Sequence, residues 1–331
     1  MPLPRRAAVL GALALVLTAC SAAPADDATT DDDGGSAAPS SSAAGFPVTV
    51  ASCGTETTLD APPERIVTIK SSATEMVIAL GAGDRLVGTA FSDGPLPDGV
   101  TEPPVLAERN PSRESVLDLA PDLVYAGWES NLSDDGAGER AGYEELGVST
   151  FVSPSACQDP AHQPEQLGFE DVFAEIETVG RLLGAPEEAA SLVAEQRAAL
   201  DAVTPTGEGL SALWYSSGSD TPFVGAGAGA PQMIMSAAGL TNIAADVADT
   251  WTSLSWEVVA DRDPDVLVLV DSAWNTAEHK IEVLESNPVT AAMPAVQEKR
   301  FLTVPFPATE AGVRNVDAVV ELTRQIDELS P

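Results

Sequence analysis

Aromatic rings near the ends of predicted strands are the first side chains in this sequence that could hold a small molecule. Such rings offer flat stacking surfaces to a planar ligand. Aromatic residues make up only 5% of the chain, yet several follow predicted strands and another lies in a loop before a helix. For any single ring, packing in the core is the more common role, whereas the whole set favours the lining of a cleft. The candidates are Trp128, Tyr215, Trp251, Trp274 and Phe306.

Two basic residues could complement an anionic group on such a ligand. Lys70 directly follows a predicted buried strand and begins a helix with Ser71 and Ser72, where free backbone amides favour an anion. Arg314 lies on a polar connection near the end of the chain. Because ligands of open α/β sheets bind beyond the carboxyl ends of the strands, we expect these residues at the site. In so acidic a chain, each cation could instead pair with a carboxylate.

The usual catalytic patterns are absent from the sequence. It contains no nucleophile-elbow motif, no Walker loop and no His-Glu-x-x-His. His162 and His279 are the only histidines, which excludes a three-histidine zinc or manganese site. We therefore predict a protein without enzymatic activity, metal or cofactor.

One pattern occurs twice along the chain. Glu114 precedes a Pro-Asp pair ending at Asp122 by the same spacing that separates Glu257 from the Pro-Asp pair ending at Asp265. Each copy predicts a helix that carries the glutamate, a turn, a buried strand and an aromatic residue beyond it. The repetition predicts two similar α/β lobes.

A long helix is predicted between the two copies, over residues 186–203. It begins with proline and two glutamates, which suit a helix N-terminus, and would be about 27 Å long. Strands alternate with helices on both sides of it, as in Rossmann-like lobes with largely parallel sheets. We place the first lobe at 46–184, a spine helix at 185–205 and the second lobe at 206–331.

Two local predictions fix the surroundings of the candidate site residues. Ser72 and Glu75 have the spacing of a capping box, which would open the helix after Lys70. A strand predicted over 210–215 places Tyr215 at its carboxyl end.

The start of the chain is predicted to be an export signal rather than part of a lobe. Two arginines precede an apolar run at 7–17 that is too short to span a bilayer. Leu-Thr-Ala-Cys at 17–20 resembles the lipobox of bacterial lipoproteins, in which the cysteine, here Cys20, is lipidated. A secretory signal with a chance cysteine is the alternative. We expect a leader at 1–19 and a disordered acidic tether at 20–45.

The charge and the remaining cysteines agree with export. A formal net charge of −35 repels nucleic acid and anionic lipid, so we predict no nucleic-acid partner and no membrane contact besides the lipid anchor. Cys53 and Cys157 in an exported chain favour one disulfide. Two separate buried thiols are the alternative.

Several motifs resemble class III periplasmic binding proteins, which serve ABC importers of iron-siderophores, haem and cobalamin. They are Pro-Glu-Arg-Ile-Val at 63–67, Ser-Ser-Ala-Thr-Glu at 71–75 and Leu-Gly at 80–81, together with the repeated glutamate helix and the single spine helix. The resemblance covers about residues 46–330. A branch named for binding coenzyme F(420)-0, a deazaflavin phosphodiester, is similar at three further segments, 68–72, 125–131 and 271–280.

The resemblance implies a monomeric, extracytoplasmic lipoprotein that captures a small organic ligand between its lobes and delivers it to a permease. In that family one glutamate on each lobe engages arginines of the membrane subunits, a role that falls on Glu114 and Glu257; two ordinary surface glutamates are the alternative. A lysine at position 70 departs from the family pattern and favours coenzyme F(420)-0, followed by cobalamin and then an iron-siderophore. The different-class alternative is an extracytoplasmic enzyme or adhesion module on the same two lobes.

Overall fold

The computed structural model of the protein describes residues 45–97 and 99–329. The predicted leader, Cys20 and the tether up to residue 44 lie outside these ranges, so the expectations for them stay predictions. Within the described ranges, no helix is both long and apolar enough to cross a membrane.

The first lobe is built on a parallel sheet with a hairpin in front of it. The hairpin pairs β1 (Val48–Ser52) with β2 (Thr55–Leu59). The sheet strands are β3 (Ile66–Ile69), β4 (Leu86–Ala90), β5 (Val105–Ala107), β6 (Leu123–Ala126) and β7 (Ser149–Val152). Their spatial order is β5-β4-β3-β6-β7, and every pairing is parallel. The helices are α1 (Ser71–Ala79), α2 (Arg113–Leu117), α3 (Arg140–Glu144) and α4 (Phe169–Leu183).

A single helix, α5 (Pro186–Asp201), leads from the first lobe to the second. Its 16 residues make it about 24 Å long. Proline occupies the first turn with Glu187 and Glu188, as the sequence indicates, and the helix ends two residues before the predicted end. It buries only a narrow face, and the Gln196 amide on that face donates to the Val313 carbonyl at 2.8 Å.

The second lobe has a mixed sheet of six strands, β8 (Ser211–Ser217), β9 (Phe223–Gly225), β10 (Thr241–Asn242), β11 (Trp251–Ser253), β12 (Val266–Asp271) and β13 (Phe301–Pro305). The order is β11-β9-β8-β12-β13, with β10 beside β8. Pairings among β8, β10, β12 and β13 are parallel, whereas β9 runs antiparallel to both β8 and β11. The helices are α6 (Ala230–Ala237), α7 (Trp256–Arg262), α8 (Ala277–Ser286), α9 (Pro294–Gln297) and α10 (Asn315–Leu329).

Alternation along the central strands gives each sheet two buried faces. In β3, Ile66 faces one core and Val67 another, and in β12 Val268 and Leu269 alternate in the same way. Ile66 and Val268 belong to one cluster, which continues through α4 and α5 and so joins the two lobes. The neighbouring residues face clusters confined to one lobe each. The lobes therefore share a continuous apolar core, which favours small movements over a wide hinge.

The repeated Pro-Asp pairs have the same structural role in both lobes. Asp122, just before β6, accepts hydrogen bonds from the backbone N–H groups of Glu64 and Arg65 at 2.7 and 3.0 Å, where β3 begins. Asp265, just before β12, accepts from the backbone N–H and hydroxyl of Ser211, both at 2.7 Å, where β8 begins. Each aspartate thus fastens the start of the neighbouring central strand.

The capping box predicted for α1 is wrong. The helix begins at Ser71, and Lys70 before it has φ +85° with no side-chain cap. The Ser72 hydroxyl donates instead to Glu310 Oε2 at 3.0 Å, and Glu75 pairs with Arg314. Both side chains of the expected capping box bind charged residues of the second lobe instead, because these partners lie within reach.

A disulfide joins Cys53, in the turn of the hairpin, to Cys157 after β7. Beside it, the buried Arg140 guanidinium donates to the Ser52 carbonyl at 2.7 Å and to the Thr150 hydroxyl at 2.9 Å. The hairpin is therefore held to the first sheet by the disulfide, by the buried Arg140 and by hydrogen bonds such as that from the Thr57 hydroxyl to the Thr150 carbonyl at 2.7 Å.

Replacing both cysteines by serine should lower the free energy of unfolding. The bond closes a loop with a sequence separation of 104 residues, and losing such a bond costs about 2–4 kcal/mol. Urea denaturation of the wild type with and without a reductant, beside the Cys53→Ser/Cys157→Ser variant, measures this. A wild-type midpoint that the reductant leaves unchanged would contradict the prediction.

Candidate ligand-binding cleft

A cleft of about 430 Å³ lies between the lobes, beyond the carboxyl ends of their central strands. The first lobe contributes residues that follow β3, β4, β6 and β7, and the second contributes the end of β8, the start of α6 and the connection after β13. This is the position at which open α/β sheets bind ligands. Two hydrogen bonds cross between the lobes at one side of the cleft, from Leu167 N to Ala228 O at 2.8 Å and from Gln166 Nε2 to Gly227 O at 3.1 Å.

Three pairs of aromatic rings line the cleft. Phe91 with Trp128, and Trp274 with Phe306, meet edge to face with centroids 5.7 and 5.5 Å apart. On another wall, Phe223 and Trp251 stack at 5.7 Å with their planes 16° apart. Trp274 and Phe223 are exposed, so each keeps solvent-accessible ring surface in the cleft lining.

Most of the predicted site rings reach this cleft, but Tyr215 does not. Trp128, Trp251, Trp274, Phe306 and also Ser72 line it. Tyr215 is fully buried because β8 continues to Ser217; its ring packs against Trp256 and its hydroxyl donates to the Gly218 carbonyl at 2.9 Å. Ser216 and Ser217 take the place predicted for it.

Lys70 was predicted to contact the ligand, but the structure does not place it in the cleft lining. Its side chain is 0% exposed, and its ammonium forms an ion pair with Asp93, which is 1% exposed. The ammonium also lies 3.6 Å from the Trp128 ring centroid and 4.3 Å from that of Phe91. A cation so enclosed has its charge compensated within the protein and none available for a ligand.

Glu310 of the second lobe completes this buried cluster. Its Oε1 lies 3.7 Å from Lys70 Nζ, and its Oε2 accepts from Ser72. Burial raises the pKa of Glu310 to about 7, although Lys70, Ser72 and Trp128 act to lower it. Burial likewise raises the pKa of Asp93, opposed by Lys70. One cation thus faces two carboxyl groups, and the proton that Glu310 readily takes up relieves the excess negative charge.

Ser71 and Arg314 are also absent from the cleft lining. The Ser71 hydroxyl accepts from the Asp93 N–H at 2.8 Å and is buried. Arg314 forms an ion pair with Glu75 of α1 and donates to the Pro95 carbonyl at 2.8 Å. Burial raises the pKa of Glu75 while Arg314 lowers it. Arg314 therefore fastens the lobes together and is not an anion contact for a ligand.

Arg109 is the cation that the sequence argument missed. It lines the cleft, is exposed, and has its guanidinium 5.0 Å from the Phe91 ring centroid. Among the ion pairs of the described residues, none involves Arg109. It follows β5, a three-residue strand that carries no clear sequence signal, so its position could not be predicted.

Glu114 and Glu257 occupy matching positions outside the cleft. Each is the second residue of a short helix, α2 or α7, that begins with a serine cap: Ser112 accepts from the Ser115 N–H, and Ser255 from the Val258 N–H. Both glutamates are exposed. Their equivalence agrees with the repeat in the sequence, and the docking role stays a prediction.

Two lobes around an aromatic cleft define the architecture of a binding protein. Within the described residues, no group of three or more His, Cys, Asp or Glu side chains could hold a metal ion. Residues 66–308 match the periplasmic binding protein family, and the chain belongs to that family, whose members are non-enzymatic components of transport systems.

Two relatives show how far the similarity extends along the chain. The chain is 33% identical over 246 residues to the cobalamin-binding protein of Halobacterium salinarum; the match covers 70% of this chain but only 60% of that relative's length. It is 26% identical over 297 residues to the uncharacterized ABC transporter substrate-binding lipoprotein YvrC of Bacillus subtilis, covering 85% of this chain and 86% of YvrC.

Solved structures support the same fold. A protein of the ABC-type Fe3+-hydroxamate transport system from Saccharomonospora viridis has a TM-score of 0.72 and 28% identity, over 85% of this chain and 99% of that one. A periplasmic binding protein from Veillonella parvula has a TM-score of 0.74 and 25% identity, over 84% of this chain and 97% of that one. The predicted two-lobed fold is confirmed.

Replacing Lys70 by methionine should destabilise the protein rather than remove a ligand contact. Asp93 and Glu310 would be left buried beside each other without a cation, and breaking a buried ion pair in this way costs about 3–5 kcal/mol. Urea denaturation at pH 8 measures the loss. The Lys70→Met/Asp93→Asn double variant should recover part of it, and a single variant as stable as the wild type would contradict this role.

Proposed function

We propose that the protein is the extracytoplasmic substrate-binding component of an ABC importer and takes up a large ring-containing solute of the cobalamin type. The observation that carries the proposal is the cleft between two lobes with aromatic pairs on its walls. Rings arranged in this way offer stacking area on more than one side of a flat solute. The family membership and the substrate-binding name of YvrC support the importer role.

Cobalamin is the first candidate ligand for two reasons. The Halobacterium relative is named for binding cobalamin, and a 25% identical relative from Pectobacterium carotovorum is named a vitamin B12-binding protein. The chemistry of the cleft is compatible, because a corrin offers a broad ring face and peripheral amides. Its single phosphodiester would need only one cation, and Arg109 supplies it.

Coenzyme F(420)-0 is the second candidate. The cleft volume of about 430 Å³ is typical of sites for drug-sized ligands, and a deazaflavin phosphodiester is smaller than cobalamin. Lys70, however, was the residue that favoured this anionic ligand in the sequence, and its charge is compensated internally. Because that support is lost, the names of the two relatives place cobalamin first.

Delivery and anchoring complete the proposal. Glu114 and Glu257 would dock the two lobes on the permease subunits, since each is exposed at the start of an equivalent helix. A lipid on Cys20 would keep the protein at the outer face of the membrane, as the lipoprotein name of YvrC supports.

Cobalamin should bind the purified protein more tightly than coenzyme F(420)-0 or a ferric hydroxamate. Arg109→Ala should weaken cobalamin binding about tenfold, the effect of losing roughly 1.4 kcal/mol at a charged hydrogen bond near the cleft mouth. Isothermal titration calorimetry of each solute measures the affinities. Arg181→Ala, which removes an exposed arginine of α4, is the matched control. Tight binding of the ferric hydroxamate without binding of cobalamin would refute the ligand assignment.

Reversing the two docking charges should separate uptake from capture. The Glu114→Arg/Glu257→Arg variant should lose transport while its affinity for cobalamin stays within about twofold of the wild type, because charges at a docking rim govern encounter and register. Uptake by the reconstituted importer and calorimetry on the free protein supply the two readouts. Glu187→Arg/Glu188→Arg, on the exposed face of α5, keeps transport if the effect is specific. An equal loss of ligand affinity in the docking variant would exclude the docking role.

A further inference from the structure

We propose that Glu310 and Thr309 form a subsite on the cleft wall that recognises a hydrogen-bond donor of the solute, such as a primary amide. The inference rests on the proposed solute-binding function and specifies which polar group the solute presents. Both residues follow β13 in the second lobe, and both line the cleft.

The first observation is an unused carboxylate oxygen. Glu310 Oε2 accepts from the Ser72 hydroxyl at 3.0 Å, and Trp128 lies close enough to the carboxyl group to lower its pKa, but Oε1 has no donor in hydrogen-bonding geometry among the described residues. Lys70 Nζ, at 3.7 Å, is too far for a hydrogen bond and is engaged with Asp93. A buried acceptor left without a donor is costly, so a ligand that supplies a donor there gains affinity.

The second, independent observation concerns Thr309, the residue next to Glu310. The Thr309 hydroxyl is also buried without a hydrogen-bond partner among the described residues, and the residue is 1% exposed. Two adjacent cleft-wall residues therefore leave oxygen atoms unsatisfied. A primary amide has two N–H donors, which match in number the two acceptors left without a partner.

A solute can reach Glu310 Oε1 because the carboxylate and the residues that cover it belong to different lobes. Glu310 belongs to the second lobe, whereas Lys70 and Ser72, which cover its carboxylate, belong to the first. A small separation of the lobes therefore uncovers Oε1, and closure around a solute buries it again. The subsite is thus completed only when both lobes contact the solute.

Ionisation decides which groups the subsite accepts. As a carboxylate, Glu310 accepts from N–H donors and repels a carboxylate or phosphate of the solute; once protonated, it loses this preference. The charged groups around it are Lys70 and Asp93, with Arg109 acting on Asp93. Because burial raises the pKa of Glu310 to about 7, the change falls near neutral pH.

The arrangement gives the cleft an internal polarity. Arg109 offers a positive charge, the aromatic walls offer stacking, and Glu310 with Thr309 offers acceptors. A solute with amides on one edge of a ring system and an anionic group elsewhere matches all three. A solute with carboxylates throughout does not.

The first experiment titrates cobalamin into the wild type and Glu310→Gln at pH 8 and pH 6. In the wild type, affinity should fall about tenfold at pH 6, where roughly one tenth of Glu310 is ionised. Glu310→Gln should bind several-fold more weakly at pH 8 and show little change with pH, and Thr309→Val should also bind more weakly. An unchanged pH dependence in Glu310→Gln would overturn the subsite and assign the titration to another group.

Glu175→Gln is the matched control. Glu175 is buried outside the cleft, where the hydroxyls of Tyr125 and Ser153 donate to it at 2.8 and 2.9 Å. Burial raises its pKa to about 7 as well, so this variant removes a similar titration without touching the subsite. Its cobalamin affinity should keep the pH dependence of the wild type.

The second experiment does not depend on cobalamin. Nicotinamide and nicotinate share one aromatic ring and differ in an amide or a carboxylate, and saturation-transfer NMR at pH 8 compares their binding. The wild type should prefer nicotinamide, and Glu310→Gln should lose the preference. If cobalamin does not bind but the wild type prefers nicotinamide, the ligand assignment fails and the subsite stands. Equal binding of both fragments to the wild type overturns the subsite.

Discussion

The burial of one ammonium group constrains much of this structure. Lys70 lies between the lobes without contact with solvent, so its charge must be met by the protein itself. Asp93 of the same lobe provides the ion pair, Glu310 of the other lobe adds a second carboxyl group, and aromatic rings enclose the remainder. The first lobe and the second lobe are therefore linked electrostatically at the cleft, and the rings that surround the cation are the same rings that face a solute.

The shared apolar core also holds the two lobes together. Because residues of α4 and α5 belong to the same buried cluster as residues of both sheets, the lobes cannot separate widely without exposing buried hydrophobic surface. The ion pair of Arg314 with Glu75 adds a polar connection beside it. We therefore expect a solute to be captured by a limited opening, with specificity set by the groups already arranged on the walls of the cleft.

Sequence patterns predicted the elements well and the side-chain partners poorly. Buried strands such as β3 and β12 are runs of apolar residues with clear turns, and α5 carries its own start signals, so local physics was sufficient. Lys70 and Arg314 were misassigned because their partners are distant in the chain, and no local pattern indicates that a lysine after a strand will meet Asp93. Arg109 was missed because it lies on a short connection whose course only the tertiary structure determines.

The hairpin at the start of the described residues has a mechanical consequence. A force applied to the chain before β1 would act first on the pairing of its five residues with β2 and on the packing of Val50 in the shared core. Unzipping would reach the turn at Cys53 and stop, since a covalent bond there transfers the load to the segment after β7. The disulfide therefore passes a pulling force on the chain before β1 into the first sheet instead of leaving it on the hairpin alone.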